Sequence, residues 1–136
     1  MEVIAFRLKP GADLKASIEA KARERNITAG CIISCVGGLR QACVRMAGAT
    51  PDSQDIRTMT EAFEIVSLVG TVSVDGVHLH LSFSNRAGQV HGGHLKEGTL
   101  INPTAEIIIG VADNLHFKRE LDTDTGFREL TIEEST

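Results

Sequence analysis

The seven residues from His78 to Ser84, with the sequence HLHLSFS, constrain the fold of this 136-residue chain more than any other stretch. Polar and apolar side chains alternate strictly along them, which predicts a β-strand that buries one face. Successive side chains of a strand point to opposite faces, so the two histidines and two serines share one face. The two leucines and the phenylalanine share the other face. The stretch therefore predicts a sheet that packs on a core with one side only.

The residues that follow this strand predict its partner. Asn85 to Gly88 is typical of a turn, and Gly88 suits a left-handed position that closes a three-residue hairpin loop. Such a loop pairs Asn85, the first residue of the turn, with Gln89. Counting back along both strands then places His80 opposite His94, on the same face of the sheet.

Three imidazoles are expected to converge on the polar face, from His78, His80 and His94. His91 falls opposite Phe83 and points to the other side. Three imidazoles on adjacent strands suit Zn²⁺ or another divalent metal, with a fourth coordination position left open for a small ligand. Histidines on a polar sheet face are also compatible with simple solvation, or with hydrogen bonds across a contact between subunits. The pattern predicts a metal site and leaves these two alternatives open.

A second hairpin is expected to place small polar residues beside the histidines. Asp75-Gly76 is a strong signal for a two-residue hairpin loop, and the valines on either side of it would pair. This register places Ser73 opposite His78 and Thr71 opposite His80, where their hydroxyl groups are expected to orient the imidazole rings. The other residues predicted to line the pocket are Gly92 and Gly93.

The remaining segments predict an α+β fold, a single domain over residues 1–136. It has a mostly antiparallel sheet with one main helix packed on one face. The helix is expected at 13–25, because three apolar residues recur there at helical spacing, namely Leu14, Ile18 and Ala22. Gly37-Gly38 marks either a turn between two strands or a place where another backbone or a ligand approaches closely.

The C-terminal third predicts further strands. Residues 105–112, with the sequence AEIIIGVA, are typical of a central strand buried on both faces, and Pro103 is expected to break the chain before them. Residues 117–121 and 127–132 predict a closing hairpin. The sheet is therefore expected to contain most of the chain.

Composition limits the class of protein. The chain has 14 Lys and Arg against 18 Asp and Glu, a net charge of −4, and neither Tyr nor Trp. An acidic balance argues against a large phosphate-binding surface, and scarce aromatic residues argue against stacking of single-stranded bases. No apolar run is long enough to cross a membrane and no signal peptide opens the chain, so we expect a cytoplasmic protein without membrane contact.

The three cysteines are Cys31, Cys35 and Cys43. An odd number without a paired spacing is typical of free thiols in a reducing compartment. Cys31 and Cys35 are expected to share a strand face, which allows metal ligation in principle. Burial of all three as small hydrophobic groups is the favoured interpretation.

Four segments together resemble the PPC domain, which is shared by plants and prokaryotes. They are GCIISCVGGLRQACVRMA at 30–47, FEIVSLVGTVSVDGVHLHLSFSNRAGQVHGGHL at 63–95, AEIIIG at 105–110 and FRELTI at 127–132. The combination of H-x-H with a later G-G-H is typical of the prokaryotic branch. In plants the domain follows AT-hook segments of nuclear DNA-binding proteins. The resemblance implies an antiparallel α+β fold, a homotrimer, and metal ligation by His78, His80 and His94.

Three functions follow as hypotheses. The first is a homotrimeric domain that binds a metal or a small ligand at the three histidines, with no catalytic residue predicted. The second is a DNA-binding or transcription-associated protein, with basic candidates at Arg40, Arg45, Arg57 and Arg86. The acidic balance and the lack of an Arg-Gly-Arg-Pro core argue against this hypothesis. The third is a zinc-dependent hydrolase, for which the spacing identifies no general acid or base.

Overall fold

The computed structural model describes residues 1–135, so the last residue of the predicted domain, at position 136, lies outside the described part. The strands are β1 (Glu2–Leu8), β2 (Gly30–Arg45), β3 (Ile56–Met59), β4 (Phe63–Ser73), β5 (Gly76–Ser84), β6 (Val90–Leu95), β7 (Leu100–Val111), β8 (Leu115–Leu121) and β9 (Arg128–Glu134). The helix is α1 (Leu14–Glu24). Within the described residues, no helix has the length and apolar character that crossing a membrane requires.

A seven-stranded antiparallel sheet forms the body of the protein. Its strand order is β1-β7-β2-β4-β5-β6, with β3 beside β2. Strand β7 pairs with β1 on one side and with β2 on the other. The AEIIIGVA segment therefore lies in the interior of the sheet, as predicted for a central strand. Pro103 lies inside β7, and the prediction that it breaks the chain there is wrong. The α+β prediction, with one helix and a mostly antiparallel sheet, is confirmed.

The helix packs on one face of this sheet. Asp13 caps it, because its Oδ1 accepts a hydrogen bond from the Ala16 N–H at 3.0 Å. The predicted stripe of Leu14, Ile18 and Ala22 is fully buried. This stripe packs toward β4 and β5, so the helix covers the sheet face that holds the leucines and the phenylalanine of HLHLSFS. The histidine face lies on the opposite side of the sheet.

The two glycines in the middle of β2 mark a close approach of backbones and not a turn. The strand runs unbroken from Gly30 to Arg45. The alternative prediction, in which a turn at Gly37-Gly38 separates two strands, is therefore wrong. A Cβ at Gly37 would overlap the carbonyl oxygen of Thr104. A Cβ at Gly38 would overlap the carbonyl oxygen of Asn102. Backbone crowding by β7 therefore explains the pair.

A bulge in β2 separates the cysteines. The register against β7 shifts between Ile32 and Ser34, and one extra residue reverses which face the following side chains occupy. Cys31 pairs with Gly110 and Cys35 with Ile107, so the prediction that these two cysteines share a face is wrong.

All three thiols are free, as predicted, but their burial differs from the favoured interpretation. Cys43 is buried, Cys35 is half-buried and Cys31 is exposed. Burial raises the pKa of the Cys35 thiol to about 11, which keeps it protonated at neutral pH.

The predicted closing hairpin is confirmed as a separate two-stranded sheet. Strands β8 and β9 pair with Phe117 opposite Ile132. Two hydrogen bonds attach this hairpin to β4 and to the turn that follows it. The Arg119 N–H donates to Asp75 Oδ2 at 2.7 Å, and Arg119 Nη2 donates to Thr71 Oγ1 at 2.8 Å. The hairpin therefore lies beside the histidine face.

Candidate metal centre

The β5–β6 hairpin, which carries four of the five histidines, has the predicted register. The Asn85 N–H donates to the Gln89 carbonyl at 3.0 Å, and Gly88 has a φ of +77°. His80 pairs with His94, and the same ladder pairs Phe83 with His91. A loop of known length sets the register of both strands, which is why this part could be predicted from sequence.

The three imidazoles on the polar face form one cluster. One nitrogen from each of His78, His80 and His94 lies within 4.8 Å of the other two. The ring centroids are 5.0 Å apart for His78 and His80, 5.0 Å for His78 and His94, and 5.7 Å for His80 and His94. His91 lies apart from the cluster, with its ring centroid 6.1 Å from that of Phe83.

The donor set fits a transition-metal dication. Zn²⁺ binds imidazole nitrogen at about 2.0–2.1 Å, which places tetrahedral ligands about 3.4 Å apart. The ligand atoms all lie within 4.8 Å of one another, so small side-chain rotations bring the three nitrogens within reach of one ion. His80 is exposed and the other two are half-buried, which leaves room for these rotations. A fourth ligand then has access from the solvent side.

The surroundings keep two of these imidazoles in the neutral form that binds metal. Burial, together with the positive charge of Arg45, lowers the pKa of His94 to about 4. Burial likewise lowers the pKa of His78, with a smaller contribution from His80. Both rings are therefore unprotonated at pH 7, so a metal ion does not have to displace a proton from them.

The hairpin between β4 and β5 differs from its predicted register by two residues. Thr71 pairs with His78 and Val69 pairs with His80, whereas Ser73 pairs with Gly76 at the turn. The predicted pairs of Ser73 with His78 and of Thr71 with His80 are therefore wrong. Those pairs implied a face lined with hydroxyl groups, but the residue opposite His80 is the exposed Val69 and not a threonine.

The side chain of Ser73 explains this difference. Its Oγ accepts a hydrogen bond from the Asp75 N–H at 3.2 Å and donates to the Gly76 carbonyl at 3.3 Å. The turn consequently contains Val74 and Asp75, while Gly76, with a φ of +140°, begins the return strand. A serine that bonds to its own turn competes with the Asp-Gly signal.

The predicted pocket residues lie as follows. Gly92 and Gly93 line a cleft together with His80 and His94, and Thr71 lines a second one with His78 and His80. A Cβ at Gly93 would lie 2.6 Å from the Arg45 carbonyl oxygen, so this glycine lets β6 sit close to β2. The close approach brings His94 into the cluster.

Two arginines that the sequence did not connect with the histidines also lie at the site. Arg45 pairs with His94 across β2 and β6, and its Nη2 is 3.5 Å from His94 Nδ1. Its guanidinium carbon lies 5.2 Å from the ring centroid of Phe127. Arg119 reaches the site from β8. Both contacts join segments far apart in sequence, and no local pattern marks them.

Comparison with known proteins identifies the family. The model of the Plants and Prokaryotes Conserved (PCC) domain matches residues 1–113. The bifunctional protein GlmU of Synechococcus sp. (strain JA-2-3B'a(2-13)) is 41% identical over 133 residues, which cover 98% of this chain. The chain spans only about a fifth of the length of the curated relatives it matches, 20% in this case.

Solved structures share the fold. A hypothetical protein from Salmonella cholerae-suis has a TM-score of 0.92 at 32% identity, covering 99% of this chain and 95% of that chain. A metal-containing protein from Archaeoglobus fulgidus has a TM-score of 0.83 at 27% identity, covering 96% and 94%. A Bacteroides thetaiotaomicron protein to which DNA binding has been ascribed has a TM-score of 0.85 at 20% identity, covering 95% and 91%. The last likeness shows the fold alone.

Proposed function

Because the chain belongs to the Plants and Prokaryotes Conserved (PCC) domain family, we propose that it is a divalent-metal-binding domain with its centre at His78, His80 and His94. The observation that carries this proposal is the convergence of three imidazole nitrogens within 4.8 Å, from two paired strands. The Archaeoglobus fulgidus relative, which is a metal-containing protein, supports it. Three imidazoles favour Zn²⁺ among the abundant biological dications.

The surroundings of the three histidines indicate a binding site more than a closed structural one. Structural zinc sites use four protein ligands, whereas a site with three protein ligands keeps a position for water or a small molecule. When bound, a metal would act as a Lewis acid toward a ligand at that position. The chain itself contributes three imidazoles, glycines that let the neighbouring strands approach closely, and basic side chains nearby.

Elemental analysis of untagged protein purified without a chelator tests the proposal. We expect about one divalent ion per chain, by the one-site stoichiometry of a three-imidazole centre. Protein that contains no metal, even after dialysis against zinc and then against buffer, would overturn the proposal. The histidines would then be ordinary residues of a polar sheet face.

DNA binding has less support from the geometry. Of its four basic candidates, Arg57 is engaged by Asp55, with its Nη2 2.8 Å from Oδ2, and Arg45 is turned toward His94. The net charge of −4 also opposes association with a phosphate backbone. The metal centre is therefore the function that the described residues support best.

We further propose that the chain assembles as a homotrimer, as the family resemblance implies. Large apolar side chains are exposed on several strands of the sheet, among them Val36 at 56%, Val66 at 55% and Val69 at 56%. Exposed apolar groups of this kind are commonly covered in an assembly. Val69 pairs with His80, so this exposed side chain adjoins the proposed metal centre.

Light scattering after size-exclusion chromatography measures the assembly. We expect three times the mass of one chain, and a smaller mass for Val69→Lys, because an inserted charge disfavours burial in a contact. A wild-type mass equal to that of one chain would contradict the homotrimer.

A further inference from the structure

We propose that a small anion, a carboxylate or a phosphate group, completes the metal centre from an adjoining basic cleft, and that metal and anion bind cooperatively. The inference rests on the metal-binding function proposed above and names the ligand class of that same centre. It follows from the charge, the contacts and the location of the cleft.

The cleft lies between the histidines and the β8–β9 hairpin and has a volume of about 820 Å³. Both His78 and His94 line it, so its interior opens directly onto the proposed metal position. A volume of this size is within the range that accommodates small organic ligands. The fourth coordination position and the cleft can therefore be occupied by one molecule.

The charge of the cleft is the reverse of that of the whole chain. Five basic side chains line it against two carboxylates, in a chain whose net charge is −4. The basic residues are Lys15, Arg45, Lys96, Arg119 and Arg128, and the acidic ones are Asp75 and Glu129. A concave wall with an excess of one charge attracts a ligand of the opposite charge.

Among the described residues, most of these basic groups have no acidic partner. Within residues 1–135, four of the five basic side chains have no carboxylate oxygen within 4.0 Å of their nitrogens. The exception is Lys15, which lies 3.8 Å from Glu19. Asp75 directs its Oδ2 to the Arg119 backbone N–H at 2.7 Å and so does not neutralise a guanidinium.

The three arginines are held in place and still have donors to spare. Arg119 Nη2 donates to Thr71 Oγ1 at 2.8 Å, and Arg128 Nη2 donates to the Arg119 carbonyl at 2.7 Å. Arg45 rests on the Phe127 ring, with its guanidinium carbon 5.2 Å from the centroid. A guanidinium carries five N–H donors, so each of these groups keeps several for a ligand. Its planar fork matches the oxygens of a carboxylate or a phosphate.

The same charges explain why the two ligands should depend on each other. Positive groups beside three imidazoles repel a dication, and this repulsion weakens metal binding in the absence of an anion. An anion bound between the metal and the arginines interacts favourably with both. By linkage, whatever the anion adds to the affinity for the metal, the metal adds equally to the affinity for the anion.

Titration with Co²⁺, whose visible absorption reports coordination, tests the proposal in the 136-residue chain. The titration is run in chloride buffer alone, with acetate, and with inorganic phosphate. We expect at least one anion to tighten Co²⁺ binding about tenfold and to change the visible spectrum. Arg45→Gln and Arg119→Gln should lose this enhancement. Arg57→Gln, which alters an arginine paired with Asp55 outside the cleft, should keep it.

The outcomes separate this proposal from the metal centre itself. Enhancement by acetate alone assigns the cleft to carboxylates, and enhancement by phosphate alone assigns it to phosphorylated ligands. Co²⁺ binding that neither anion changes would overturn the anion site and leave the metal centre standing. No Co²⁺ binding under any of the three conditions would overturn both. Circular dichroism of each variant checks that its fold is intact.

Discussion

Replacing His94 by alanine is expected to reduce the affinity for Zn²⁺ by about 100-fold or more, which corresponds to about 2.7 kcal/mol. The two imidazoles that remain, on β5, leave a dication with half of its tetrahedral coordination supplied by water. Competition with a chromophoric chelator measures this change, and elemental analysis should find the variant depleted of metal. His78→Ala is expected to behave in the same way.

His91→Ala is the matched control for this loss. It removes the same kind of side chain from the same hairpin, but His91 pairs with Phe83 and lies apart from the cluster. We expect this variant to retain the metal with wild-type affinity. Loss of metal from His91→Ala as well would contradict the assignment of ligands. If circular dichroism shows that metal-free His94→Ala is unfolded, His94 instead stabilises the fold.

Gly37→Ala is expected to reduce the free energy of unfolding by about 3 kcal/mol, near the upper end of ordinary overpacking. Its Cβ would overlap the Thr104 carbonyl oxygen and lie 2.6 Å from the Ala105 Cα. Both atoms belong to the backbone of β7, which is confined between β1 and β2 and cannot move aside easily. Urea denaturation followed by circular dichroism measures the loss.

Gly88→Ala shows what a turn glycine contributes. Gly88 has a φ of +77°, and among the described residues no atom outside the turn lies within 4 Å of the position that a Cβ would take. Only backbone strain therefore opposes the substitution, and we expect this variant to lose about 1 kcal/mol. Similar losses for Gly37→Ala and Gly88→Ala would mean that close packing of β2 on β7 is not what requires Gly37.

Local signals determined the parts of this protein that could be predicted from its sequence. A three-residue loop with Gly88 specifies the register of its own hairpin, and strict alternation specifies which face each side chain takes. Together these place His80 opposite His94 without reference to the rest of the chain. The helix was equally predictable, because Asp13 caps it and its buried stripe repeats at helical spacing. Both predictions concern residues close together in sequence.

Only the tertiary structure decided the rest. Whether Gly37-Gly38 turns or packs depends on β7, about 65 residues further along the chain, because a glycine pair serves either purpose. The turn between β4 and β5 lies one residue earlier than predicted, which changes the register of the two strands by two residues, because the Ser73 hydroxyl bonds within the turn. Alternation along the strands cannot reveal these bonds. Arg45 meets His94 only because β2 pairs with β6 beyond its contact with β4. Such pairings depend on competition among all the strands. The histidine cluster could therefore be predicted from the sequence, whereas the arginines that surround it could not.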